Sequence, residues 1–238
     1  MGHPSKGELL LYKICRSIAV GISRLYLPGG VTGRENLPTS GPYLVAPVHR
    51  SYVDWLIVAR ITGRRRLRYI AKAELWKSKI AGRVLETLGA FPVNRSGADR
   101  EALERCREIL AGGEPLVMFP EGTRRSGPVV RDLREGAAYL AVRADVPVVP
   151  IGIGGSEQSM PRGSTVPRPR RVEVVIGTPV WPPSGDGTEA EAGDGETVRH
   201  RRPGRVSRRA TKEFSDEIAA AIQQVFDEAQ RRAGVKKD

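Results

Sequence analysis

The stretch YLVAPVHRSYVDWLIVARI, residues 43–61, contains a run of apolar residues, a polar turn and a second apolar segment with helical spacing. Residues 43–48 follow a Gly-Pro turn and are almost entirely apolar, which is typical of a buried strand. Residues 55–61 are expected to form a helix. Because a strand that continues through a polar turn into a helix is the repeating unit of α/β proteins, this stretch predicts that fold class.

The same alternation continues beyond residue 61. Apolar runs predict strands at residues 68–71, 90–93, 116–119, 146–153 and 172–176. Amphipathic spacing predicts helices between them, at residues 77–88, 99–110 and 136–143. We therefore expect an α/β fold with a mixed, largely parallel sheet flanked by helices.

An amphipathic helix is predicted at residues 9–26, within an N-terminal segment of residues 1–30. Its apolar stripe consists of Leu10, Leu11, Ile14, Ile18, Ile22, Leu25 and Tyr26, and Lys13, Arg16 and Arg24 lie off that stripe. The helix can pack on the protein body, or it can lie in a membrane interface with the cations toward lipid headgroups, and the two are not exclusive. A spanning helix needs about 20 mostly apolar residues, and charges interrupt this segment too often for that.

The chain changes character at its C-terminal end. Residues 184–209 carry five acidic residues, then a basic cluster, and almost no apolar side chain, which predicts a flexible charged loop. Residues 210–238 follow with helical apolar spacing that includes Phe214, Ile218, Ile222 and Val225. We expect this C-terminal helix to pack on the preceding domain.

The 238 residues include 39 Lys and Arg against 27 Asp and Glu, which gives a net charge of +12. Partners should therefore be anionic: phosphorylated small molecules, an acidic membrane surface or nucleic acid. The aromatic content of 5% and the lack of a nucleic-acid-binding signature argue against nucleic acid. Cys15 and Cys106 are too few for a disulfide framework and have no metal-ligand spacing, so a reducing compartment and no metal are expected.

His49 and Asp54 stand just past the predicted strand at residues 43–48. Ligands of α/β sheets bind at this edge, and a histidine there can act as a general base near neutral pH. A carboxylate five residues later can orient the ring, with His49 in the turn and Asp54 in the first helical turn. The alternative is that Ser51 and Asp54 form a capping box that serves the helix alone.

Two further segments place cations after strands: FPVNR at residues 91–95 and FPEGTR at residues 119–124. The guanidinium groups of Arg95 and Arg124 can bind a phosphate through two hydrogen bonds. Gly122 allows a ligand to approach the backbone closely, and Thr123 can donate a hydrogen bond. Each segment is also compatible with ordinary turn chemistry.

The order and spacing of these segments resemble the glycerolipid acyltransferase family, which includes the 1-acyl-glycerol-3-phosphate acyltransferases. The matching blocks are VTGRENLP (31–38), LVAP (44–47), VHRSYVD (48–54), AKAEL (71–75), GAFPVNR (89–95), FPEGTR (119–124) and VPIGI (149–153). The resemblance covers about residues 31–181 and places a catalytic domain at residues 31–183. Many members carry Asn before the histidine where this chain has Val48, which suggests a subgroup with a different acceptor.

The resemblance implies transfer of a fatty acyl group from acyl-CoA to 1-acyl-glycerol-3-phosphate, giving phosphatidate in phospholipid biosynthesis. His49 and Asp54 are then catalytic. The acceptor site would be formed by Lys72, Arg95, Glu121, Gly122, Thr123 and Arg124. No cofactor is expected beyond the acyl-CoA co-substrate, and the enzyme should act as a peripheral or monotopic protein at the cytoplasmic face of the cell membrane, against an anionic surface.

Three alternatives remain open. The acceptor can be glycerol-3-phosphate or another lysolipid, and acyl carrier protein can replace coenzyme A as the donor. A scaffold protein that kept the fold without the chemistry is the second alternative, but both His49 and Asp54 are present, so the sequence offers no reason to prefer it. A basic nucleic-acid-binding protein is the remote third alternative.

Overall fold

A computed structural model of the chain describes residues 6–61, 65–93, 99–161, 163–183 and 207–235. Its centre is a seven-stranded sheet with the order β1-β7-β6-β2-β5-β3-β4. The strands are β1 (Val31–Thr32), β2 (Leu44–Pro47), β3 (Arg68–Lys72), β4 (Ala90–Val93), β5 (Leu116–Val117), β6 (Val148–Gly154) and β7 (Glu173–Ile176). Only the β6–β7 pair among these is antiparallel, so the predicted mixed, largely parallel sheet is confirmed.

Seven α-helices are present in the described part of the chain. They are α1 (Lys6–Tyr26), α2 (Asp54–Val58), α3 (Lys79–Thr87), α4 (Asp99–Ala111), α5 (Gly136–Ala144), α6 (Ser156–Ser159) and α7 (Arg208–Arg232). The sequence pattern did not predict β1, which is held by backbone pairing with β7, or the single-turn helix α6. The strand predicted at residues 116–119 ends at Val117, because the chain leaves the sheet there to form the FPEGTR loop.

Helix α7 lies directly against the sheet, mainly on β6 and β7. A methyl group added at Gly152 would come within 2.1 Å of the carbonyl oxygen of Val225, and one at Gly154 within 2.1 Å of that of Ala229. The two glycines therefore allow the backbone of α7 to touch the backbone of β6. The predicted charged loop at residues 184–209 falls almost wholly outside the described residues.

The apolar stripe of α1 faces away from the protein body. Its members, Leu10, Leu11, Ile14, Ile18, Ile22, Leu25 and Tyr26, are 39–88% exposed. The helix contacts α2 and α3, and the buried side chains Tyr12 and Ser23 lie on its inner side. The helix therefore does pack on the body, but through the face that carries Tyr12 and Ser23, and its apolar stripe is left exposed by the described residues. None of the described helices is both long enough and apolar enough to cross a membrane.

Arg60, buried just beyond the end of α2, joins α2 to the end of α1. Its Nε donates to Ser23 Oγ at 2.7 Å, and its Nη2 donates to the carbonyl oxygens of Leu27, at 2.7 Å, and of Ser23. Burial lowers the pKa of the Arg60 guanidinium to about 10, which leaves it charged at neutral pH. Arg34 donates to the carbonyl oxygens of Arg60 and Ile61 and closes the same corner.

Candidate active site

The segments after β2 and β5 meet because these strands are parallel neighbours in the sheet. Leu44 pairs with Leu116 and Val45 with Val117, so the segments that follow β2 and β5 leave the sheet at the same edge. The His49 ring then lies against the Phe119 ring with 4.2 Å between centroids. The backbone N–H of Arg125 donates to the carbonyl oxygen of His49 at 2.9 Å, which ties the two segments together.

His49 and Asp54 form a hydrogen-bonded pair, with His49 in the turn and Asp54 as the first residue of α2. His49 Nδ1 lies 2.9 Å from Asp54 Oδ2. The same oxygen accepts the backbone N–H groups of Arg50 and Ser51, each at 2.7 Å. An oxygen that accepts two N–H bonds is not a donor, so Nδ1 donates to it, and in the neutral imidazole the lone pair then lies on Nε2.

Burial differs sharply between the two partners. The Asp54 side chain is fully buried, whereas the His49 side chain is 21% exposed. A buried carboxylate that orients a partly exposed imidazole is the arrangement of a general base, since the ring can reach a ligand while its orientation is fixed.

The capping-box alternative is realised only in part. Asp54 accepts the Ser51 N–H, but Val53 is the residue that precedes α2, and no side-chain hydrogen bond caps this helix. Ser51 Oγ donates instead to the carbonyl oxygen of Met160, at 2.9 Å. The Asp54 carboxylate thus organises the turn and the His49 ring together.

Sequence reasoning missed Arg50, which lies beneath the site and is 1% exposed. Its Nη1 donates to Glu121 Oε1 at 2.6 Å and to Oε2 at 2.7 Å. Glu121 Oε2 also accepts the backbone N–H of His49 at 2.8 Å. Arginine is ordinarily exposed, so nothing in the pattern indicated that Arg50 is buried or paired with an acid of another block.

The rest of the FPEGTR loop lies beside His49. The Arg124 guanidinium stacks on the Tyr52 ring, 3.2 Å from its centroid. Arg124 Nη1 is shielded from solvent and has no hydrogen-bond partner among the described residues. Gly122 has a φ of 65°, and a methyl group there would lie 2.4 Å from Arg134 Nε. Thr123 is exposed.

The side chains of two predicted site residues, Lys72 and Arg95, are not described by the structure. Lys72 ends β3 at the same edge of the sheet, but its side chain lies outside the described part of the chain. Arg95 lies outside the described residues altogether. In the described ranges, no cluster of three His, Cys, Asp or Glu side chains has the arrangement of a metal site.

Comparison with known proteins adds an independent line of evidence. Residues 30–154, more than half of the chain, match the family model described as Acyltransferase. The 1-acyl-sn-glycerol-3-phosphate acyltransferase of Bacillus subtilis is 30% identical over 172 residues, which are 71% of this chain and 82% of that protein. The human 1-acyl-sn-glycerol-3-phosphate acyltransferase alpha is 33% identical over 58% of this chain and 50% of its own length.

Algal and plant relatives with the same activity in their names are longer, and the chain spans less than half of their length. The fold matches the crystal structure of the 1-acyl-sn-glycerophosphate acyltransferase PlsC from Thermotoga maritima with a TM-score of 0.67. That match has 23% identity and covers 94% of this chain and 83% of the other. The family model and the bacterial relative, together with the ordered motifs, show that the chain belongs to the glycerolipid acyltransferase family.

Proposed function

We propose that this protein transfers a fatty acyl group from acyl-CoA to the free hydroxyl of 1-acyl-glycerol-3-phosphate and so makes phosphatidate. The observation that carries the proposal is the His49–Asp54 pair at the ligand-binding edge of the sheet, in which a buried carboxylate holds a partly exposed imidazole. The relatives named as 1-acyl-sn-glycerol-3-phosphate acyltransferases support the choice of acceptor.

In the proposed reaction, His49 Nε2 removes the proton of the acceptor hydroxyl as that oxygen attacks the thioester carbonyl. The tetrahedral intermediate then collapses, the carbon–sulfur bond breaks, and the coenzyme A thiolate takes the proton back from the imidazolium. Asp54 holds the ring and stabilises its positive charge. General base catalysis contributes about 10²- to 10⁴-fold, so positioning and oxyanion stabilisation supply the remainder, and no acyl-enzyme is needed.

Arg124 is proposed to bind the acceptor phosphate. Its guanidinium lies over the Tyr52 ring, and Nη1 lacks a partner in the described structure, so the group has hydrogen-bonding capacity for an anion. Gly122 and Thr123 would shape the pocket around it. Lys72 and Arg95 complete the proposed acceptor site, and the role of Glu121 is treated below.

Replacing His49 with alanine tests the mechanism. Turnover of 1-acyl-glycerol-3-phosphate with palmitoyl- or oleoyl-CoA should fall by about 10²-fold or more, and near wild-type turnover would refute the mechanism.

Arg124→Ala should raise the KM for the acceptor much more than that for the donor. Equal changes in both KM values would assign Arg124 to the donor or to folding.

Val48 in place of the usual Asn favours a second candidate acceptor for the same chemistry, either glycerol-3-phosphate or another lysolipid. A panel of acceptors with defined sn-1 and sn-2 acyl positions, run with acyl-CoA and with acyl carrier protein as donors, tests both the acceptor and the donor. A higher kcat/KM for glycerol-3-phosphate than for 1-acyl-glycerol-3-phosphate would replace the first proposal by the second.

We also propose that the exposed stripe of α1 binds the cytoplasmic face of the cell membrane as a peripheral element. The acceptor and the product are lipids, and α3, which packs against α1, adds the exposed side chains of Ile80 and Val84. The apolar stripe and the cations on the flanks of α1 suit an anionic interface. The full-length protein should co-sediment with vesicles that contain phosphatidylglycerol, and binding confined to DNA would refute this proposal.

A further inference from the structure

The carboxylate of Glu121 is occupied by partners inside the protein. Oε1 accepts from Arg50 Nη1, and Oε2 accepts both from Arg50 Nη1 and from the backbone N–H of His49. The Glu121 side chain is 1% exposed and that of Arg50 is fully buried. A carboxylate placed in this way has no oxygen directed at a ligand that also contacts the exposed edge of His49.

Arg50 connects this carboxylate to the loop that follows the FPEGTR segment. Its Nε donates to the carbonyl oxygen of Gly127 at 3.1 Å, and its Nη2 to that of Val129 at 3.0 Å. The guanidinium also lies over the Phe226 ring of α7, 4.9 Å from the centroid.

Helix α7 holds the same loop from outside. Gln223 Oε1 accepts the N–H of Val130 at 2.7 Å, and its Nε2 donates to the carbonyl oxygen of Pro128 at 3.0 Å. The backbone of His49 is therefore connected through Glu121 and Arg50 to β5, to the loop and to α7, which are elements remote in sequence.

We propose that Arg50 and Glu121 are a pair of positioning residues, and that Glu121 acts on catalysis through the backbone of His49 and not by contacting the acceptor. The inference rests on the proposed acyl transfer. A general base must stand within hydrogen-bond reach of the proton that it removes, and a displacement of about 1 Å costs about 10²-fold in rate. Glu121 fixes the N–H of the very residue that carries the base.

Glu121→Gln keeps the size of the side chain and removes one of its two acceptor oxygens and the charge. We expect kcat to fall by about 10²-fold with the acceptor KM unchanged, because ground-state binding does not use this side chain. A raised acceptor KM with kcat retained would overturn the proposal and return Glu121 to the acceptor site.

Glu157→Gln is the matched control. Glu157 lies on α6, and its carboxylate accepts the N–H of Gly127 at 3.2 Å. It therefore supports the same loop without contact to His49. Its kcat should stay close to that of the wild type. A loss equal to that of Glu121→Gln would show that general loosening of the loop explains both, and would overturn the proposal.

Amide hydrogen exchange at His49 gives a readout that does not depend on activity. Exchange in peptides that cover residues 44–54 should accelerate in Glu121→Gln and remain as in the wild type in Glu157→Gln, and unchanged exchange in Glu121→Gln would overturn the proposal. If the wild type turns over none of the acceptors, the proposed function fails while this measurement still decides the role of Glu121.

A double variant covers the case in which Glu121→Gln does not fold because a lone buried guanidinium remains. Arg50→Met with Glu121→Leu removes both charges together, and such apolar replacements of buried pairs are often tolerated. The double variant should fold and still show the loss in kcat of about 10²-fold. Wild-type kcat in it would show that the pair serves stability alone and would refute the positioning role.

Discussion

Replacing both Ile18 and Ile22 with glutamine removes two apolar side chains from the exposed stripe of α1 and tests its proposed membrane contact. The two isoleucines are 57% and 59% exposed, so each is free to bury more than half of its side chain in lipid. Complete burial of an isoleucine is worth about 1.5–3 kcal/mol, so each replacement should cost about 1–1.5 kcal/mol of binding free energy. Glutamine has good helix propensity, which leaves α1 intact.

The double variant should therefore bind vesicles about 30- to 150-fold more weakly than the wild type, which corresponds to about 2–3 kcal/mol. The assay is co-sedimentation with vesicles of phosphatidylcholine and phosphatidylglycerol over a range of lipid concentrations. Tyr139→Ser is the control, because Tyr139 is 45% exposed on α5, a helix that packs on α4 and α7. Wild-type affinity in the double variant, or an equal loss in Tyr139→Ser, would refute the assignment of the stripe as the membrane contact.

Three further predictions concern the site and the core. Asp54→Asn should lower kcat by about 10²- to 10⁴-fold in steady-state assays, because a neutral amide, even with its oxygen in the place of Oδ2, does not stabilise the imidazolium that forms on His49; unchanged kcat would contradict the role of Asp54. Burial raises the pKa of the Cys106 thiol to about 12, so the thiol should react with Ellman's reagent at pH 8 only after unfolding in guanidinium. A thiol count of the native protein that includes Cys106 would contradict this prediction. The contribution of the buried Cys106 thiol to the free energy of unfolding should be present below about pH 9 and decline as the pH rises toward 12. Gly154→Ala should lower the free energy of unfolding by about 1–3 kcal/mol in denaturant titrations, since its methyl group would overlap the Ala229 carbonyl oxygen; unchanged stability would show that α7 can move away from β6.

The sequence was sufficient for most of the fold and for the pairing of His49 with Asp54. Residues 43–48 are nearly all apolar because β2 is buried, and strand burial of this kind is visible as an unbroken apolar run. His49 and Asp54 could be paired because they are five residues apart across one turn, so their meeting depends on local geometry alone. The order of the motif blocks supplied the family.

The partner of Arg50 could not be read in the same way. Arg50 and Glu121 are 71 residues apart and meet only because β2 and β5 are neighbours in the sheet. The contact of the Arg124 guanidinium with the Tyr52 ring likewise joins two separate segments.

The difference between what the sequence determines and what the tertiary structure determines is clearest in α1. Its sequence alone determined that residues 9–26 form a helix with one apolar stripe, since helical periodicity is a property of the local chain. Which way the stripe faces was decided by tertiary contacts: the body receives Tyr12 and Ser23, and Arg60 holds Ser23 and Leu27 against the end of α2. A stripe has the same hydrophobicity whether protein or lipid covers it, and only the packing of the other elements shows that the described residues leave it uncovered.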